Sequence, residues 1–308
     1  MLSSGYVIQQ LFNALIVGSF YSLLAVSYAL VHGLTNRIVL AFGDMAMFCA
    51  FSAVYSAIIA WSLGFDTPAV LAVSLIGTIV CSAALGVSSL KVLFAPLMKG
   101  KSQTLLIVSV SFGLVLQEIM RLQSGGREQW LEPMLSEAVI EAKAHGFTVR
   151  VSMMQMFIIA GTAASLVSIF GALRWTGLGR VWRACSEDAG LVSLIGIDAR
   201  KVTALTFVAA SIYAGAAGFT LAVYYGGVSF YMGLMLGLKA LFASIIGGFG
   251  TIGGAVAGAF VLAFLETVWA AFFPLGYRDV AVFAVILSLL IIRPEGLLGV
   301  RLRKDYER

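Results

Sequence analysis

Four ionisable side chains, Asp44, Glu118, Lys239 and Glu266, sit inside runs of apolar residues. A charge at the centre of a bilayer costs on the order of 3 kcal/mol on insertion scales. Such groups therefore require a polar cavity, a partner subunit or pairing with one another. For Lys239 two readings stay open: a structural ion pair with one of the acids, or a polar group on a translocation path. Asp44 follows Ala41-Phe42-Gly43. A glycine beside an acid near the start of an apolar run points to a broken or late-starting helix, and irregular backbone at membrane depth is tolerated where it lines a cavity. Asp44, Lys239, Glu266 and Gly43 are therefore the candidate path and gating residues.

Catalytic chemistry is not expected. The two histidines, His32 and His145, form no nucleophile–base–orienter set, and Cys49, Cys81 and Cys185 have no metal-ligand spacing. Two nucleotide-like patterns dissolve on their context. Gly248, Gly250 and Gly253 satisfy G-x-G-x-x-G, but that fingerprint needs a preceding strand, and here it joins two apolar segments. Gly250, Gly254 and Gly258 continue at four-residue spacing, which lets membrane helices approach closely. Ala95-Pro96-Leu97-Met98-Lys99-Gly100-Lys101-Ser102 resembles the end of a phosphate-binding loop but lacks its first glycine. No ATP site, and no other cofactor or metal site, is expected in this chain.

The elements that must hold these residues are membrane helices. Of 308 residues, 60% are hydrophobic and 11% charged, with a mean hydropathy of +0.99. Soluble domains carry about a quarter charged residues, so a soluble fold is excluded. The apolar runs are also too long for barrel strands. Spans are predicted at 7–31, 38–61, 68–90, 104–121, 153–173, 203–223, 233–249, 252–273 and 279–292. The fold is thus an all-α polytopic helical protein of eight or nine spans, forming one transmembrane domain over 1–308. The seventh and eighth spans are glycine-interrupted, and either one is open to a re-entrant reading. The first run has no basic flank and continues too far for a cleavable leader.

Placing the polar loop 174–202 inside puts 14 of the 20 Lys and Arg residues on the inner face. Arg121, Arg127, Lys143, Arg150 and Arg278 then lie outside. This satisfies the positive-inside rule with the N-terminus outside and the C-terminus cytoplasmic. It also accounts for the net charge of +5 without invoking nucleic acid. The long outer loop, 123–152, is mixed in sign, and a solvated loop is expected there.

The 174–202 loop carries an apolar stripe at helical spacing: Val181, Trp182, Ala184, Cys185, Leu191, Val192, Leu194 and Ile195. Arg183 and Glu187 stand at i,i+4, where they can pair. Spacing alone leaves open a docking surface for a soluble partner and a helix lying in the headgroups. A weak internal echo links Ser19-x-Tyr21, Gly33 and Gly43 to Ser211-x-Tyr213, Gly226 and Gly233, in opposite directions, as an inverted repeat would require.

Several stretches together resemble the LivH-like permease subunits of ATP-binding-cassette importers for branched-chain amino acids. They are Gln9-Gln10-x-Phe12-Asn13 with Gly18-Ser19-x-Tyr21; Phe42-Gly43-Asp44; Arg183-Ala184-Cys185-x-Glu187-Asp188 through Gly196-Ile197; Ala204-Leu205-Thr206-Phe207-Val208; Lys239-Ala240 through Gly250; and Pro294-x-Gly296-x-Leu298-Gly299. The resemblance implies an inner-membrane permease with a second, related permease, two cytoplasmic ATP-binding subunits and an external substrate-binding protein as partners. It maps the ATPase-coupling helix onto 180–196, with Arg180, Arg183, Glu187, Asp188, Leu191, Leu194 and Gly196. The implied cargo is a branched-chain or other amino acid, although related systems carry amides or urea. The chain departs from the family at Phe42-Gly43-Asp44, where Ala-His-Gly-Glu is frequent. It departs again at the C-terminal motif, where Arg293 places a charge before Pro294. The competing reading is an ion-gradient-driven secondary amino-acid transporter with Asp44 or Glu118 as the ion site.

Overall fold

The computed structural model describes residues 4–97, 102–135, 137–144, 147–248, 250–293 and 296. Lys99, Lys101, His145, Pro294 and the C-terminal cations beyond Arg293 lie outside them. The helices are α1 (Ser4–Thr35), α2 (Phe42–Ser62), α3 (Thr67–Ser89), α4 (Ala95–Leu97), α5 (Ser102–Gln123), α6 (Met153–Trp175), α7 (Gly177–Glu187), α8 (Ala189–Leu194), α9 (Ala199–Tyr225), α10 (Met232–Gly248), α11 (Ile252–Phe272) and α12 (Arg278–Ile292). A π-helical turn, Leu90–Phe94, joins α3 to α4 in one continuous span.

Eight of these helical stretches are long and apolar enough to cross a membrane, and α10 is a shorter apolar helix of 17 residues. The chain is a polytopic helical membrane protein. At 1.5 Å per residue α10 extends roughly 25 Å, short of a hydrocarbon core of about 30 Å. The stretch before α10, Gly227–Val228, pairs with Gln129–Trp130, and Gly250 after it lies against Gly33 at the far end of α1, so the seventh segment runs from one end of the bundle to the other although its helix is short. The eighth, now α11, is 21 residues long and can reach across.

Burial sorts the helices into a centre and a rim. The most hydropathic window of α1 is 89% buried, whereas that of α12 is 11% buried. Around α1 pack α2, α9, α10 and α11, brought close by small residues. A Cβ on Gly218 would strike the carbonyl of Ala46, and one on Gly258 the carbonyl of Ala243. Gly254 packs in the same way against Gly247. Gly254 and Gly258, two of the three glycines expected in helix packing, thus stand at close approaches between α10 and α11. Gly250 differs: it forms the α10–α11 turn with φ +94°, a backbone shape that glycine adopts without a Cβ clash.

Two segments enter the bundle as non-helical chain. After α1, residues 36–41 pack against α5, with the Leu40 amide donating to Ser109 Oγ at 3.0 Å. After α9, Gly226 ends the helix with φ +70°, and α10 starts only at Met232. The two late starts touch, since a Cβ on Gly43 would meet the Gly233 carbonyl and lie 2.5 Å from Gly237 Cα. Gly43 therefore sits at the predicted helix break.

Within the loop 123–152, much of it exposed, the described residues include three short strands. Strand β1 (Gln129–Trp130) pairs with β4 (Gly227–Val228), and β2 (Ala138–Ala144) pairs with β3 (Phe147–Ser152), both antiparallel. Val149 and Val151 are buried, and Gln9 holds Arg150 through both of its backbone groups, the carbonyl at 3.2 Å and the amide at 2.9 Å. This hairpin marks one end of the bundle; α7 and α8 mark the other.

Candidate functional site

The sequence candidates for the path and the coupling helix fall into three groups in the structure. The first lies at the hairpin end. Lys239 Nζ, on α10, donates to Glu266 Oε1 on α11 at 2.9 Å and to Asp279 Oδ1 on α12 at 2.8 Å. Arg278 Nε approaches Glu266 at 3.2 Å and Asp279 at 3.5 Å, and the Tyr21 hydroxyl donates to the other Glu266 oxygen at 2.8 Å. Two cations and two carboxylates thus neutralise one another where Lys239 and Glu266 are buried. Breaking such a pair by removing one partner costs about 3–5 kcal/mol. The network borders a cavity of about 430 Å³, walled also by Phe20, Glu128, Trp130, Met235 and Leu236.

Lys239 and Glu266 therefore meet in an ion pair, one of the two readings the sequence left open, and both border the cavity. Sequence reasoning does not assign Tyr21, Arg278 or Asp279 to this site. Tyr21 lies 245 residues from Glu266, beyond any local pattern, but an Arg-Asp pair at the head of an apolar run is a legible signal.

The second site is Asp44, which the fold keeps separate from that network. It stands in the first turn of α2, 4% exposed, and accepts a hydrogen bond from Gln117 Nε2 of α5 at 2.7 Å. Gly113 and Gly233 leave room for its carboxylate, as a Cβ on either would strike it. A negative charge at a helix N-terminus is favoured by the macrodipole, which is one compensation for its burial. Glu118, one residue from Gln117, faces away from the bundle, with its side chain 54% exposed and paired with Arg121 at 2.5 Å.

The third site is the loop 174–202. The single stripe read from spacing is two helices meeting at Asp188, whose backbone is extended (φ −153°) and whose carboxylate caps α8 by accepting from the amides of Gly190 and Leu191 at 2.8 and 3.0 Å. The break turns the stripe into two faces. Cys185 and Val192 are buried, and burial pushes the Cys185 thiol up. Leu178, Leu191, Leu194 and Ile195 are exposed by 63–81%. Arg183 does not pair with Glu187; its Nη1 donates to the carbonyl of Leu173 on α6, while Arg180 and Glu187 stay exposed. Gly196 ends this region with φ +85°. Trp182 lies over Gly33 at the end of α1, where a Cβ would stand 3.0 Å from both the indole and the carbonyl of Gly250. One side chain of α7 thereby touches α1 beside the α10–α11 turn.

A family model described as the permease component of the branched-chain amino acid transport system matches residues 10–292. The high-affinity branched-chain amino acid permease LivH of Escherichia coli K12 is 32% identical over 295 residues, covering 96% of both chains. LivH of Salmonella typhimurium gives the same values, and the permease BraD of Pseudomonas aeruginosa is 30% identical over the same coverage. Among solved structures, PsaBC from Streptococcus pneumoniae superposes with a TM-score of 0.46 at 14% identity, covering 92% of this chain and 91% of that one. A putative metal-chelate type ABC transporter in an inward-facing conformation gives 0.47 at 16% identity, with 93% and 87% coverage. With the family model spanning nearly the whole membrane domain and relatives of matching length, this chain belongs to the family of permease components of the branched-chain amino acid transport system.

Proposed function

We propose that this chain is the membrane permease subunit of an ATP-driven importer for branched-chain or related apolar amino acids. Its partners are a second, related permease, two ATP-binding subunits on the α7–α8 side and a soluble binding protein that delivers substrate at the hairpin end. The distribution of Lys and Arg supports a cytoplasmic position for the α7–α8 side. ATP is bound by the partner subunits.

The observation that carries this reading is the double-faced α7–α8 unit. Four large apolar side chains, Leu178, Leu191, Leu194 and Ile195, are left uncovered by the bundle, while Trp182 rests on Gly33 beside Gly250. A subunit seated on the first face moves the second. Displacing α7 presses on the end of α1 and the α10–α11 turn. Both helices of that hairpin continue to Lys239 and Glu266, and α10 begins against Gly43 and Asp44. Nucleotide-driven motion thereby reaches both polar sites along rigid helices. In this role Arg180, Arg183, Glu187 and Asp188 orient the docking unit, and Asp44, Lys239 and Glu266 line or gate the path.

Leu191→Glu together with Leu194→Glu tests the docking face, because neither residue is packed in the bundle. In proteoliposomes holding the co-purified complex, the double variant is expected to keep its melting temperature and lose ATP-driven leucine uptake. Wild-type uptake by the variant would refute the docking assignment. Uptake driven by an ion gradient in this chain alone would replace the importer by a secondary transporter.

A further inference from the structure

The cavity at the hairpin end has a feature that a purely structural ion network does not need. Its charges lie in two tiers. Lys239 and Glu266, with side chains 6% and 8% exposed, form a closed lower tier. Arg278 and Asp279, at 38% and 45%, form an upper tier open to a cavity of about 430 Å³, within the ~300–1,000 Å³ range of small-molecule sites.

Bonding capacity is left over in that upper tier. Arg278 meets its carboxylate neighbours through Nε, and that nitrogen is not aligned for a hydrogen bond with either. Its two terminal nitrogens have no hydrogen-bond partner among the described residues, although a guanidinium fork matches a carboxylate bidentately. Asp279 engages both cations through Oδ1, leaving Oδ2 for another donor. Glu128 adds a third carboxylate on the rim. The remaining wall is apolar, with Trp130, Met235 and Leu236.

We propose that this cavity binds a free zwitterionic α-amino acid with an apolar side chain: Arg278 takes the α-carboxylate, Asp279 and Glu128 the α-ammonium, and Trp130, Met235 and Leu236 the side chain. The proposal rests on the permease reading and deepens it, since it gives the membrane subunit a selective site of its own rather than a passive path. Closely placed opposite charges beside an apolar wall distinguish this ligand from a simple cation, which has no use for Arg278, and from a fatty acid, which has no use for Asp279.

The test is competition against radiolabelled L-leucine on the co-purified complex in lipid nanodiscs, without binding protein or nucleotide. Leucinamide lacks the carboxylate, and 4-methylpentanoate lacks the ammonium. The wild-type complex is expected to bind leucine saturably and to hold each analogue at least about tenfold more weakly, the effect of one lost charge-assisted hydrogen bond. Arg278→Gln should erase the preference over leucinamide, and Asp279→Asn the preference over 4-methylpentanoate. The analogue series on the wild type stands even where a variant fails to fold. Absence of saturable leucine binding, or equal competition by leucinamide or 4-methylpentanoate, overturns the site. ATP-driven uptake by the same preparation with its binding protein separates the two failures: uptake without cavity binding sinks this proposal alone, and no ATP-dependent uptake sinks the permease reading.

Discussion

Gln117 Nε2 donates to Asp44 Oδ1 at 2.7 Å, tying α5 to the start of α2 across 73 residues of sequence. It is the one side-chain hydrogen bond to the Asp44 carboxylate among the described residues. Gln117→Leu leaves that carboxylate buried with less compensation, at a cost of roughly 1–3 kcal/mol. A lower melting temperature in detergent is expected for Gln117→Leu. Gln117→Asn keeps an amide donor on a shorter stem and should lose less. An unchanged melting temperature for Gln117→Leu would show that the bond contributes nothing.

Lys239→Met isolates Glu266 and Asp279 beside Arg278 alone. A destabilisation of about 3–5 kcal/mol is expected, because buried charge is left uncompensated. Adding Glu266→Gln removes the deepest acid, and chemical unfolding should recover part of that loss. If the two losses simply add, the residues are not coupled.

Gly43 and Gly276 form a matched pair of glycine substitutions. Alanine at 43 would meet the Gly233 carbonyl, while at 276 it meets nothing within 4 Å. Overpacking costs roughly 1–3 kcal/mol. Gly43→Ala is therefore expected to lower stability and transport together, with Gly276→Ala close to wild type by thermal unfolding and uptake.

Cys185 is a reporter of α7. It is 4% exposed, and burial raises its thiol pKa, so the reactive thiolate is scarce at neutral pH. Slow maleimide labelling is expected in the resting protein. Trp182→Ala, which removes the contact with Gly33, should speed labelling several-fold and weaken ATP-coupled uptake. Equal labelling rates would mean that Trp182 does not hold α7 in place.

The span boundaries are legible because lipid demands long apolar runs, and even the odd behaviour of α10 is visible in its flanking glycines. The Phe147–Ser152 strand escapes the span reading, although Phe-Thr-Val-Arg-Val-Ser alternates as a half-buried strand should. The α7–α8 break is hidden because Asp188 falls within a continuous three- and four-residue rhythm, yet Asp followed by Ala-Gly-Leu is also a helix-start signal. At the hairpin-end site, a bond between Lys239 and an acid is one option from charge alone. Which acid it is, and the joining of Tyr21 and Asp279, depends on how α1, α10, α11 and α12 pack. Asp44 and Lys239 belong to different sites for the same reason.

The outward face of α7 and α8 bears on how the cell makes this protein. Leu191, Leu194 and Ile195, each exposed by more than 60%, form a sticky patch whenever the chain is synthesised ahead of whatever covers it. Such patches are aggregation liabilities. Under the importer reading, an unassembled copy keeps this patch open to water until a partner subunit covers it.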